Sequence, residues 1–275
     1  MIKILVDSSS DIKKTDGLYD YFMPISVNID GKEYLDGVDI DSNTFYNLLT
    51  NSKDFPKTSQ PSPQAFADIF EKVKESGDEL IYFALSSELS GTYQGANIAK
   101  NMVDYDGIYI IDTKSVSHLI SVLVQYAVSL INDGLDVKQI VEKCEELKGR
   151  IKVLAGVDTL EYLYRGGRLS KTSATVGKIA DIKPIVTVTD GKVEQVGKCL
   201  GKGRAMQFII DKLEGFNLDE NYPIFSLYTY GEENCEVLEN KLADRGYKVE
   251  KRLQVGSTIG THVGPGVYAV LFVVK

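Results

Sequence analysis

The first half of the chain alternates short, nearly continuous apolar runs with longer segments whose apolar residues recur at helical spacing. We predict buried strands for the first kind and amphipathic helices for the second. The predicted strands are 2–8, 79–85 and 108–113. The predicted helices are 62–77, 92–103, 121–133 and 137–149. Apolar strands separated by helices are typical of a parallel sheet covered on both faces.

Local signals mark several boundaries in this half. Ser62 followed by Pro63 predicts a helix start, and Gly77 predicts its end. Asp30-Gly31 lies between two alternating segments and predicts a tight hairpin turn. The stretch DSNTFYNLL (41–49) after this hairpin predicts a short helix.

After Gly149 the pattern becomes mixed. Asp190-Gly191 predicts a second hairpin, over 183–199. The other predicted strands are 150–158, 222–230, 248–255 and 267–275. The predicted helices are 159–170, 172–182, 205–215 and 232–246. We therefore predict an α/β protein of two domains, a parallel-sheet domain over 1–150 and a mixed-sheet domain over 151–275.

Composition narrows the functional classes. The 275 residues are 43% hydrophobic and 25% charged, and the net charge of -8 disfavours a nucleic-acid partner. The first ten residues turn polar after Val6, unlike a secretory signal. No apolar run approaches the roughly 20 residues of a membrane-spanning helix. We expect a cytoplasmic monomer without stable membrane insertion.

The cysteines and histidines give no sign of a metal centre. Cys144, Cys199 and Cys235 are widely spaced and lack a CxxC pattern, so we expect no disulfide, no metal and no cofactor. The acidic stretch DSSSD (7–11) holds only two carboxylates, and helix capping explains it better than metal binding. We expect His118, before an apolar helix, to be a packed or partly exposed helix residue rather than a ligand.

Three polar stretches adjoin the predicted elements of the first half. They are DSSSD (7–11), TSQPSP (58–63) and SSELSGTYQ (86–94). Loops at the carboxyl ends of parallel strands line ligand crevices, and helices that start there favour anions. Ser90 and Gly91 lie where a strand passes into a helix, so we predict an anionic head group near them. Simple capping by these residues is the alternative.

Two further stretches admit more than one interpretation. YRGGRLS (164–170) places Arg165 and Arg168 around two glycines, as an anion clamp or as a helix end. GKCLGKGR (197–204) is basic and glycine-rich, but Met206 stands where a GxGxxG motif needs its third glycine. We reject a nucleotide site there.

His262 lies in GTHVGPG (260–266), which we predict to be a glycine-rich loop. A serine hydrolase would need a GxSxG elbow, and Glu88 replaces the first glycine around Ser90. Because triads are defined by geometry, an acyl hydrolase or transferase with a Ser90–His262–Asp112 triad remains an alternative.

The polar motifs occur in an order that resembles the DegV family of fatty-acid-binding proteins. The resemblance runs from residue 2 to residue 273 through DSSSD, TSQPSP, SSELSGTYQ, IIDTKSVS, LEYLYRGGRLS, KPI and GTHVGPG. It implies two α/β domains with a long-chain fatty acid buried between them. It also implies a non-enzymatic carrier that presents the acyl carboxylate to a fatty-acid kinase.

The same resemblance implies roles for individual residues. Thr58, Ser90 and His262 would bind the fatty-acid carboxylate. The adjoining head-group loops would contribute Ser59, Gly91, Thr92 and Thr261. The candidate contacts to a kinase are Arg168, Lys202 and Arg204.

Two positions depart from the family pattern. Leu200 stands where relatives often carry an arginine, which leaves a lipid-binding regulatory module without a kinase as an alternative. His118 and Leu119 replace small residues, and we expect them to reshape part of the tail tunnel or its rim.

Overall fold

The computed structural model describes residues 1–169 and 181–275. The strands are β1 Ile2–Asp7, β2 Tyr21–Met23, β3 Ser26–Ile29, β4 Lys32–Leu35, β5 Lys57–Ser59, β6 Glu79–Ala84, β7 Ile108–Asp112, β8 Ile151–Gly156, β9 Ile182–Thr189, β10 Lys192–Leu200, β11 Ile224–Tyr228, β12 Val249–Gln254 and β13 Tyr268–Val273. The helices are α1 Ser42–Asn51, α2 Pro63–Ser76, α3 Thr92–Val103, α4 His118–Asn132, α5 Val137–Lys148, α6 Glu161–Arg165, α7 Lys202–Glu214, α8 Glu233–Ala243 and α9 Ser257–Val263. The helix predicted over 172–182 lies outside the described residues, except for its last two positions.

The two main sheets have the predicted character. The first contains β2-β1-β6-β7, all parallel. The second has the order β10-β9-β8-β13-β11-β12, antiparallel except between β11 and β12. The fold class is therefore confirmed: a parallel-sheet α/β region precedes a mixed-sheet α/β region.

A third, small sheet adds a strand that was not predicted, β5, to the hairpin predicted around Asp30-Gly31. Its order is β4-β3-β5, and Val27 of β3 pairs with Thr58 of β5. Strand β5 is only three residues long and has no apolar alternation, so the periodicity of the sequence could not indicate it. The prediction of a loop at Thr58 was wrong, because pairing with β3 makes this residue part of a strand.

The hydrophobic core extends from the first sheet to the second. Helices α2 and α3 pack on one face of the parallel sheet. Helices α4 and α5 pack on its other face, and the same cluster includes Phe225 and Leu271 of the mixed sheet. The α4–α5 pair therefore lies between the sheets and fixes one against the other.

The predicted helix and turn signals act as expected. Ser62 caps α2 by accepting from the Ala65 N–H at 3.2 Å, and the helix ends at Gly77, whose φ is 68°. Asp30-Gly31 joins β3 to β4, and both residues have positive φ. Such a turn matches the twist of the paired strands.

The prediction of a loop at GTHVGPG was wrong in its first half. His262 lies in the last turn of α9, and the turn conformation begins only at Gly264, whose φ is 76°. Gly260 lets the helix approach α1, since a Cβ at this position would lie 2.4 Å from Tyr46 Oη. The first glycine thus serves close packing inside a helix, rather than flexibility.

Candidate functional site

A cavity of about 380 Å³ lies where β5, the β6–α3 connection, α6 and α9 meet. Its polar lining includes Thr58, Ser59, Gln60, Ser90, Arg168 and His262. Its apolar lining includes Ile25, Leu85, Val116, Leu163, Val193 and Ile259. Side chains from both sheet regions face one space, which is suited to an elongated ligand with one polar end.

Thr58 and His262 form a direct pair in this cavity. Thr58 Oγ1 lies 2.9 Å from His262 Nε2. The pairing of β5 with β3 fixes the backbone of Thr58, and α9 carries His262. Two short elements from opposite ends of the chain therefore build this part of the site.

The imidazole of His262 is neutral. Burial, together with the nearby positive charge of Arg168, lowers the pKa of His262 from 6.5 to about 3. A neutral imidazole carries its proton on one nitrogen only. This ring therefore contributes one N–H donor and no formal charge.

The surroundings of the ring favour a proton on Nε2. Nδ1 is buried without a hydrogen-bond partner among residues 1–169 and 181–275. Orphaned buried donors are rarer than under-satisfied acceptors, so the proton is better placed on Nε2. The Nε2–H then donates to Thr58 Oγ1, and the Thr58 hydroxyl is left to donate into the cavity.

Gly166 makes room for the ring of His262. A Cβ at Gly166 would lie 2.4 Å from His262 Nδ1, closer than any side chain can approach. Gly166 ends the short helix α6, where its N–H donates to the Tyr162 carbonyl at 2.8 Å. Our sequence interpretation of YRGGRLS considered the arginines and missed this function of the first glycine.

Ser90 lies at the start of α3 on the same cavity. Its Oγ is 2.8 Å from Thr92 Oγ1 and also accepts from the Thr92 N–H at 3.3 Å. Thr92 is fully buried and Gly91 lines the cavity beside Ser90. Ser90 therefore presents its hydroxyl at the cavity, and Thr92 holds that hydroxyl in place.

Arg168 lines the cavity and is anchored by backbone carbonyls. Its Nε donates to the Leu89 carbonyl at 3.0 Å, and its Nη1 donates to the Gly166 carbonyl. Burial lowers the pKa of this guanidinium. The side chain keeps its positive charge, because arginine is effectively always protonated in proteins. Arg165 instead pairs with Glu161 on the surface, so only the second arginine of the motif faces the site.

The side chains of the alternative triad do not assemble. Asp112 accepts from Ser87 Oγ at 2.5 Å and from Lys114 Nζ at 2.9 Å. His262 Nε2 is engaged with Thr58 rather than with Ser90. A Ser–His–Asp relay needs both bonds to the imidazole, and neither is formed among the described residues.

Of the remaining predicted site residues, some line the cavity and others do not. Ser59 lines the cavity, whereas Thr261 is buried and donates to the Ser257 carbonyl at 2.9 Å within its own helix. Lys202 and Arg204 lie in the first turn of α7, outside the cavity lining. Leu200, just before them, is 55% exposed.

His118 and the acidic motif have structural partners. His118 is buried in the first turn of α4, and its Nε2 lies 2.9 Å from the Gln254 carbonyl. Val116 lines the cavity, whereas His118 and Leu119 do not. The expectation that these two residues shape the cavity therefore does not hold for the described lining. Asp7 caps the turn at 8–10 by accepting from the Ser9 N–H at 2.9 Å, which confirms the capping interpretation.

Within residues 1–169 and 181–275, no three His, Cys, Asp or Glu side chains converge as metal ligands. No helix in that part of the chain has the length and apolarity to cross a bilayer.

Comparison with known proteins decides the family. The family model described as "Uncharacterised protein, DegV family" matches residues 1–275. The chain belongs to the DegV family. A DegV domain-containing protein of Caldanaerobacter subterraneus subsp. tengcongensis is 38% identical over 278 residues, which cover 98% of each chain.

Solved structures of DegV-family proteins share the fold over their whole length. A fatty-acid-binding DegV protein from Streptococcus agalactiae superposes with a TM-score of 0.90 at 27% identity, covering 100% of this chain and 99% of that one. A stearic-acid-binding protein from Eubacterium ventriosum superposes with a TM-score of 0.88 at 28% identity and the same coverage. The resemblance predicted from the ordered motifs is confirmed.

Proposed function

We propose that this DegV-family protein binds one long-chain fatty acid in the cavity, with the carboxylate at Thr58 and Ser90. The supporting observation is a cavity with hydroxyls and a neutral imidazole among its polar lining and apolar side chains around the rest. The fatty-acid ligands of its solved relatives support the same assignment.

In such a site the buried tail supplies most of the affinity, and the polar groups set the orientation of the ligand. Burial of one CH₂ contributes about 0.8 kcal/mol, so a tail of about 16 carbons supplies on the order of 10 kcal/mol. Association costs consume part of this gain. The polar groups then compensate the desolvated carboxylate and set the direction of the chain.

His262 acts through Thr58 in this proposal. The sequence interpretation made His262 a direct donor to the carboxylate, whereas its Nε2 lies within hydrogen-bond distance of Thr58. With the Nε2–H donating, the Thr58 hydroxyl points its own proton at the ligand. The imidazole thereby orients the hydroxyl that binds.

We further propose that the bound carboxylate is presented to a fatty-acid kinase. Arg168 lies on the cavity with its charge intact, which suits a group that becomes more anionic on phosphorylation. Exposed Leu200, at the position of a frequent family arginine, favours a second candidate, a lipid-binding regulatory module without a kinase. Incubating the loaded protein with a competent fatty-acid kinase and ATP separates the two, because only the first yields acyl phosphate.

The decisive experiment is lipid analysis of the purified protein. Native mass spectrometry and solvent extraction should release one long-chain fatty acid per chain, and the delipidated protein should rebind it. Recovery of only water-soluble ligands, or of none with no rebinding, would exclude the proposal. An ester-hydrolysis assay tests the hydrolase alternative. If the protein turns over acyl esters and Ser90→Ala abolishes this activity, the protein is an enzyme rather than a carrier.

A further inference from the structure

The first turn of α9 is held by a residue far away in the chain. Gly256 occupies the N-cap and has no side chain to accept from the helix. Asp36 takes this role: its Oδ2 accepts from the Thr258 N–H at 2.9 Å and from Thr258 Oγ1 at 2.6 Å. Asp36 is 5% exposed and Thr258 is 2% exposed, so water does not compete for these bonds.

The contact continues into the floor of the cavity. Thr258 Oγ1 lies 3.0 Å from Ser8 Oγ, which in turn accepts from the Ile25 N–H at 3.0 Å. The Asp36 N–H donates to the Ile25 carbonyl at 3.0 Å. Asp36, Thr258, Ser8 and Ile25 therefore form a closed hydrogen-bonded ring, and two of its members, Ile25 and Thr258, line the cavity.

Helix α9 transmits this anchoring to His262. Thr258 and His262 are four residues apart, so they lie on one face of the helix, and both line the cavity. On another side, Gly260 is in contact with Tyr46, which blocks movement of the helix toward α1. Since α1 limits sideways movement of α9, the hydrogen bonds at Thr258 fix the position of α9 along its own axis.

We infer that Asp36 is a positioning residue of the carboxylate site. It holds the first turn of α9 through Thr258 and so places the His262 imidazole at hydrogen-bond distance from Thr58. The consequence for fatty-acid affinity rests on the proposed function. The consequence for the His262–Thr58 bond does not.

The test compares Asp36→Ala with two matched variants. Asp36→Asn keeps an oxygen that can accept from the Thr258 N–H, so it should retain most of the positioning. Asp136→Ala removes the cap of α5, where Asp136 Oδ1 accepts from the Gln139 N–H at 3.0 Å on the surface. It lowers stability by loss of a helix cap on a helix that packs against α4 and the parallel sheet rather than against α9.

Two readouts are needed. Imidazole ¹H–¹⁵N spectra of the delipidated protein report the tautomer and hydrogen bond of His262, and displacement of a fluorescent hexadecanoic acid analogue reports affinity. Asp36→Ala should shift the His262 signals and weaken binding about tenfold. This ratio corresponds to the loss of one hydrogen bond, the one from the Thr58 hydroxyl to the ligand. Asp36→Asn should lie near the wild type. Asp136→Ala should leave both readouts unchanged.

Opposite results overturn the inference. The inference fails if the His262 signals of folded Asp36→Ala match those of the wild type. It also fails if Asp136→Ala loses as much affinity as Asp36→Ala. If Asp36→Ala does not fold, Thr258→Val takes its place, because it removes the hydroxyl bond but keeps the backbone N–H; unshifted His262 signals would then contradict the inference. If the wild type binds no lipid, the proposed function fails, while the imidazole spectra still decide the positioning.

Discussion

Thr58 and His262 lie 204 residues apart in the chain, and their side chains meet at 2.9 Å. A buried imidazole with a pKa of about 3 is an uncharged partner, so it can orient a hydroxyl without forming an ion pair with a carboxylate. The Thr58–His262 pair therefore contributes a neutral donor to a cavity that Arg168 also lines.

Substitution of Thr58 tests this arrangement directly. Thr58→Val removes the hydroxyl but keeps the branched shape, and we expect fatty-acid affinity to fall about tenfold to a hundredfold, as for a hydrogen bond to a charged group. Thr58→Ser keeps the hydroxyl and serves as the control. Displacement titrations measure both, and equal affinity of Thr58→Val and Thr58→Ser would contradict the role.

Gly166→Ala should displace the ring of His262. The new Cβ would lie 2.4 Å from Nδ1, so either the ring or α6 must move, and we expect weaker binding together with shifted His262 resonances. Gly203→Ala is the control, since a Cβ there meets nothing within 4 Å. Unchanged His262 resonances in Gly166→Ala would show that the ring is held by other contacts.

The pKa of His262 predicts a pH dependence of folding stability. In the folded state this pKa is about 3, whereas the ordinary value is 6.5. Between these values the unfolded chain binds more protons, so the free energy of unfolding falls as pH drops below about 6.5. The limiting slope for one group is about 1.4 kcal/mol per pH unit.

A variant isolates this contribution from others. His118, whose pKa burial lowers to about 4, acts in the same direction, and the buried Asp7 and Asp36, whose pKa values are raised, act in the opposite one. Urea unfolding of wild type and His262→Gln from pH 4 to 8 separates them. The stability difference between the two proteins should shift in favour of the wild type as pH rises toward 6.5 and then level off. A constant difference would contradict the buried neutral imidazole.

The tip of the β9–β10 hairpin offers a stability test. Gly191 has a φ of 82°, and a Cβ there would lie 2.5 Å from Ser86 Oγ, which donates to the Gly191 carbonyl at 2.8 Å. Gly191→Ala should therefore destabilise the protein more than backbone strain alone, which costs about 1 kcal/mol.

Gly31→Ala supplies the matched control for that strain. Gly31 occupies the equivalent place in the first hairpin, with a φ of 80° and nothing within 4 Å of a new Cβ. We expect urea unfolding to show a larger loss for Gly191→Ala than for Gly31→Ala. Equal losses would mean that the hairpin tip moves away from Ser86 without cost.

Much of the architecture could be predicted because its signals are local. The apolar runs of β1, β6 and β7, the Ser62-Pro63 start of α2 and the two Asp-Gly turns each depend on neighbouring residues. Those patterns are sufficient to indicate a parallel sheet followed by a mixed one. The ordered polar motifs also identified the family, and the resemblance led to the prediction of Thr58, Ser90 and His262 as carboxylate ligands.

Only the tertiary structure decided how these residues meet. The helix at His262, the strand at Thr58, the space at Gly166 and the anchoring by Asp36 all depend on contacts between distant segments. Hydrophobic periodicity reports which face of an element is buried, but not which side chain from another element packs against it. The sequence therefore determined the elements and the family, and packing determined the geometry of the site.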